Sequence, residues 1–150
     1  MALNIELVVL SFLASLGFAI VFQMRKEDLV WAGIGGLVTR IAYIILMAFI
    51  PYRIVYAALA AGAADIFAEI MAHKKHTPAT YYLYPAIIPL IPGDLLYYTM
   101  GGIILNDREM AMNYGQDCLL ALVGICVGFV CCSTVFILLR RFRFFAASGN

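Results

Sequence analysis

Apolar residues run through this chain in blocks, and each block is about as long as a bilayer is thick. A helix that crosses the hydrocarbon core needs about 20 predominantly apolar residues, and such spans fall at residues 3–23, 29–49, 52–72, 81–105 and 116–139. Short polar stretches at 24–28, 50–51, 73–80 and 106–115 separate them. The pattern predicts an all-α fold: a polytopic membrane helix bundle of about five transmembrane helices, forming a single transmembrane domain over residues 1–150.

The fourth span is the irregular one. Between Pro85 and Tyr98 the chain reads PAIIPLIPGDLLYY, and Pro85, Pro89 and Pro92 each remove a backbone donor and crowd the carbonyl four residues back. Pro92-Gly93 has the chemistry of a type II turn, which would leave Asp94 to cap a second half-helix. The expectation is a membrane helix broken at Pro-Gly. A break frees carbonyls upstream and amides downstream, which hydrocarbon cannot satisfy, so they must face protein or a water-filled cavity. Broken helices of this kind serve transporters, since half-helix N-termini attract anions and freed carbonyls take cations. A merely kinked structural helix is the simpler alternative, but three prolines with Gly and Asp favour a functional break.

Composition agrees with the membrane reading. The chain is 65% hydrophobic, with 13% charged residues and a mean hydropathy of +0.96, values outside the range of soluble domains. A formal net charge of +1 leaves no basic surface for nucleic acid. Residues 3–23 are expected to be a retained first helix and not a secretory signal, because no positive charge precedes them and Glu6 sits early. Cys118, Cys126, Cys131 and Cys132 lack CxxC spacing and read as small buried hydrophobes. His73 and His76 flank Lys74-Lys75 in a loop and cannot supply a tetrahedral metal site unaided. No phosphate-cradling GxxxxGK[ST] segment and no convincing nucleophile arrangement is present. The chain is therefore read as neither an enzyme nor a binder of cofactor or metal.

Lys and Arg fall unevenly between the loops. Arg25, Lys26, Lys74, Lys75, Arg140, Arg141 and Arg143 lie on one side, with only Arg53 and Arg108 on the other. By the positive-inside rule the N-terminus is outside and the C-terminus cytoplasmic, in the cell (inner or plasma) membrane. Gly33 and Gly36, the run Ala57, Ala61, Gly62 and Ala64, and the Gly124/Gly128 pair allow close helix approach, more often inside a bundle than between copies. Tyr52, Tyr81, Tyr82, Tyr84 and Tyr114 are placed as interfacial anchors. Tyr97 and Tyr98 follow the break by about one turn and could turn hydroxyls toward it.

Ionisable groups within the spans carry the chemical signal, since each costs about 2.5–3.5 kcal/mol to insert. These are Arg40, Asp65, Glu69 and Asp94. Arg40 lies roughly 16 Å from the cytoplasmic start of its helix at 1.5 Å per residue, near the middle of a ~30 Å core. Asp65 is within reach of a long arginine from the neighbouring helix, so Arg40–Asp65 could be a structural ion pair. Such pairs are weak evidence of function. In the functional reading Arg40 takes a substrate carboxylate through its bidentate fork, with Pro89, Pro92, Gly93, Asp94, Tyr97 and Tyr98 around the same substrate. Asp65, Glu69 or Asp94 would carry the coupling proton, since a desolvated carboxylate favours its neutral form.

The stretches GFAIVFQMRKEDLVWAGIGGLVTR at 17–40 and PAIIPLIPGDLLYYTMGG at 85–102 resemble the threonine/serine exporter (ThrE) family. The closer likeness is to its small YjjB-like membrane subunit, the C-terminal half of the full-length exporter. The Pro-x-x-Pro-Leu-x-Pro-Gly run is the most specific part. The resemblance implies proton-driven export of a small amino acid or, as in some relatives, a dicarboxylate such as succinate. It also implies a larger membrane subunit resembling the N-terminal half, with Arg40 and residues 89–93 carried over on matching positions. Asp94 departs from relatives with an uncharged residue after Pro-Gly. Asp65 and Glu69 have no motif support. A midplane arginine with nearby carboxylates suits a zwitterion better than a dicarboxylate. The competing class is a non-transporting scaffold for the larger subunit; without a partner, self-association as a homo-oligomer is expected.

Overall fold

The computed structural model describes the backbone of residues 2–147 and the side chains of residues 5–138. Its helices are α1 (Ala2–Val21), α2 (Lys26–Phe49), α3 (Arg53–Lys75), α4 (Ala79–Ile87), α5 (Gly93–Ile104) and α6 (Arg108–Ala147), with a short 3-10 turn at Ile88–Leu90 between α4 and α5. The described helices long and apolar enough to cross a membrane are Lys26–Phe49, Arg53–Lys75 and Arg108–Leu138. The pair Ala79–Leu90 and Gly93–Ile104, bent by 51°, makes one more if taken as a single span. The expected first span corresponds to α1, 20 residues long, whose described part Ile5–Val21 is an apolar helix.

The centre of the bundle is α3, which packs against α2, α4 and α6, while α1 lies on α2 and α5 lies on α6. The reason is its alanine face. Ala57, Ala60, Ala61, Ala64 and Ala68 recur at helical spacing and are buried to 1% exposure or less, so neighbouring backbones come close without a desolvation cost. On α6 the partners are Gly124 and Gly128. A Cβ at Gly124 would meet the Ile54 carbonyl oxygen at 2.6 Å, and one at Gly128 would clash with the Ala58 carbonyl oxygen. The GxxxG pair thus serves internal packing against α3.

The chain breaks in the fourth span, though by a different turn from the one expected. All described glycines have negative φ, and Pro92 sits at φ −77°, ψ 65° as the N-cap of α5, with the Gly93 N–H donating to the Ile91 carbonyl at 2.8 Å. This is an inverse γ-turn centred on proline, reached through the 3-10 turn that begins before Pro89. Pro92 presets φ but takes a ψ near 65° instead of the extended value of a type II turn, so Gly93 is free to begin the helix. Asp94 consequently lies inside the first turn of α5 and is not its cap.

Residues 106–115, expected as a loop, are helical from Arg108 onward. Asp107 explains the early start: its Oδ1 accepts the Met110 N–H at 3.0 Å, a side-chain N-cap, after Asn106 has turned the chain at φ 58°. Two other placements differ. Tyr82 is 0% exposed, a core residue and not an interfacial anchor, because α4 turns that face onto α2 and α3. Of the cysteines only Cys118 is buried, whereas Cys126 and Cys131 are exposed, since α6 gives one face to α3 and α5 and leaves the other outward.

Candidate functional site

The break opens onto a cavity of about 580 Å³. Its walls are set by helical spacing: Arg40, Tyr43, Ile44 and Met47 line it from one stripe of α2, Arg53 and Tyr56 from the first turn of α3, and Pro89 to Pro92 with Asp94 and Leu95 from the break and the start of α5. Leu7 closes it from α1. Residues at i, i+3, i+4 and i+7 share a helix face, so α2 presents its cation, an aromatic ring and two aliphatic side chains together.

Arg40 is the centre of this arrangement. Its guanidinium carbon lies 5.6 Å from the centroid of the Tyr43 ring, a cation–π distance that positions the fork without consuming its donors. Tyr43 is held in turn by an edge-on contact with Tyr56, centroids 5.2 Å apart. The Arg40 Nε is buried and has no hydrogen-bond partner. Leaving such a donor unmet costs about 1–3 kcal/mol. Asp94 and the first turn of α5 line the same cavity, and the initial N–H groups of that turn have no acceptor within their own helix.

Arg53 is a cavity residue that the sequence did not single out. It reads there as a loop cation, but α3 starts with it and turns it inward. Its Nη2 donates to Asp117 Oδ2 on α6 at 3.0 Å, with the two side chains 30% and 44% exposed, a pair of modest worth in so open a setting. Tyr43 and Tyr56 were also passed over. The brevity of the α2–α3 connection, which brings the end of one helix beside the start of the next, was the signal that could have found all three.

The remaining candidates lie elsewhere. Asp65 is 3% exposed and accepts the Ser133 hydroxyl at 3.0 Å, so it faces α6 and not Arg40, and the two form no ion pair. The Cys132 thiol, 3.6 Å from the Gly62 carbonyl, lies beside both Asp65 and Glu69. Tyr97 and Tyr98 are outside the cavity lining: their rings meet edge-on at 5.6 Å, and Tyr98 stacks on Tyr114 at 5.0 Å. Among the described residues no group of three or more His, Cys, Asp and Glu is gathered as for a metal ion.

A cavity at a broken helix, walled by an arginine stripe and a half-helix N-terminus, is what the comparison with known families bears upon. Neither the curated proteins nor the solved structures give a match. The family model described as threonine/serine exporter, ThrE, matches residues 7–135, a stretch that contains α2, α3, the break and every residue lining the cavity. The chain belongs to the threonine/serine exporter (ThrE) family.

Proposed function

We propose that this chain is the small membrane subunit of a proton-coupled exporter of small amino acids of the threonine/serine type, and that the cavity at the break is its substrate site. The supporting observation is the Arg40 Nε, buried and without a partner, on a residue that shares its cavity with the N-terminal turn of α5. Arg40 and the α5 amides hold the substrate carboxylate, Asp94 takes its ammonium group, and the Tyr43 and Tyr56 rings flank the side chain. Pro89, Pro92 and Gly93 shape the backbone that makes this possible. Of the proton-carrying candidates, Asp94 stands in the cavity, whereas Asp65 and Glu69 line the α3–α6 seam. The chain works in the cell membrane with its C-terminus cytoplasmic, alongside a larger subunit that resembles the other half of the exporter.

Arg53 favours a second reading. With two arginines on the cavity wall, a dicarboxylate such as succinate finds a cation for each end once Arg53 leaves Asp117. Efflux of labelled threonine and serine from preloaded cells, with and without the larger subunit, tests the first reading. Loss of efflux in an assembled Arg40→Ala complex supports it. Unchanged efflux in that variant makes Arg40 structural and the chain a scaffold. Efflux of succinate alone, lost in Arg53→Ala, selects the dicarboxylate.

A further inference from the structure

The cavity occupies the end of the bundle where α2 finishes and α3 begins; the opposite end holds a polar cluster it never touches. Asp28, in the first turn of α2, is 3% exposed, and its Oδ1 is buried without a hydrogen-bond partner. The neighbouring charge is Lys75, from the last turn of α3, with Nζ 3.4 Å from that oxygen and its side chain 36% exposed. Two buried hydroxyls complete the cluster, Tyr82 from α4 and Thr77 from the connection before it, and neither is hydrogen-bonded. Asp28, Tyr81 and Thr77 are the electrostatic neighbours of the Tyr82 hydroxyl. Around this core, Arg25, Lys26 and Glu27 lead into α2 and His73, Lys74 and His76 end α3, all exposed. Tyr81 on α4 accepts the Arg25 N–H at 2.8 Å.

We propose that Asp28 is an exchangeable-proton site whose alternative occupant is the Lys75 ammonium. A buried carboxylate needs either a counter-charge or a proton. Lys75 is on a long stem already partly in water and withdraws at small cost, whereupon Asp28 takes a proton and becomes a neutral acid. Tyr82 and Thr77 suit both states, because a hydroxyl donates to a carboxylate and accepts from a carboxylic acid. The exchange has a mechanical consequence: the ion pair ties the start of α2 to the end of α3 and the head of α4, so protonation unlatches the end of the bundle away from the cavity. This deepens the export reading above by giving a coupling proton its own place, separate from the substrate.

The reporter is built in. Trp31 is the chain's single tryptophan, three residues after Asp28 on the same side of α2 by helical spacing. Its emission is followed against pH in the purified full chain, in phosphatidylcholine nanodiscs with potassium buffers. The expected result is a reversible transition in the native chain that is lost in Asp28→Asn. In Lys75→Met it moves upward, since removing a cation eases protonation of its neighbour. In the double variant His73→Ala/His76→Ala it stays put. A flat native titration, a transition that survives Asp28→Asn, one that stays or moves downward in Lys75→Met, or a signal that follows sodium at fixed pH would each overturn the proposal. The titration involves no transport, so absence of amino-acid efflux with the transition intact would sink the export reading and leave the proton site standing.

Discussion

The two sides of α3 use polar groups in opposite ways. Toward α6, polar groups have protein partners: Asp65 has Ser133 and the Cys132 thiol has the Gly62 carbonyl. Small residues bring the backbones into contact there. Toward α2 and the break, the helices stand apart around about 580 Å³, and Arg40 keeps a buried donor unmet. Both regions place charge where a bilayer makes it costly. The first satisfies that charge from within the fold, as structural polar groups do, while the second leaves the satisfaction to something that enters.

The sharpest way to break this contrast is on the closed side. Gly128→Leu forces a side chain against the Ala58 carbonyl, and the expected outcome is loss of the folded chain from the membrane, read by the yield of monodisperse protein in detergent. Next in size is Arg40→Ala, expected to lower efflux about 10- to 100-fold, the worth of a charge-assisted hydrogen-bonded contact of roughly 1.5–3 kcal/mol, with yield unchanged. If the yield falls as well, Arg40 belongs to the fold and the contrast fails. Asp94→Asn keeps size and removes charge; a several-fold rise in half-saturation for an amino acid, with little change for a dicarboxylate, would sharpen the assignment of the ammonium group. The smallest effect is expected from Ser133→Ala, which removes the hydroxyl that donates to Asp65: about 1 kcal/mol of stability, seen as a lower melting temperature with efflux intact.

Much of this architecture was legible because bilayer length and backbone chemistry are strict. Blocks of about 20 apolar residues gave helices, three prolines gave a break, and an arginine in mid-span marked the cavity. What escaped was decided by local geometry or by neighbours. The turn at the break depends on the ψ of Pro92, which composition does not set. The early start of α6 rests on one cap by Asp107 in a stretch whose polarity alone suggested a loop. Tyr82 and Tyr84 stand two residues apart in similar surroundings, yet one is wholly buried and the other 54% exposed, a distinction made by which side of α4 meets α2 and α3. Arg53 was missed because a cation at a helix start reads as a loop residue until the next helix is seen beside it.

The break also bears on how the chain enters the membrane. With 9 residues in α4 and 12 in α5, the halves are about 14 Å and 18 Å long at 1.5 Å per residue, against a hydrocarbon core of ~30 Å. Neither half meets the length at which a segment leaves the insertion machinery for lipid by itself. Since α5 rests almost wholly on α6, it has little to hold it in place until α6 has been synthesised and docked on α3. The broken segment is therefore expected to commit to the bilayer late and together with the last helix, so that a chain truncated before residue 108 would leave residues 93–104 accessible to water-borne reagents.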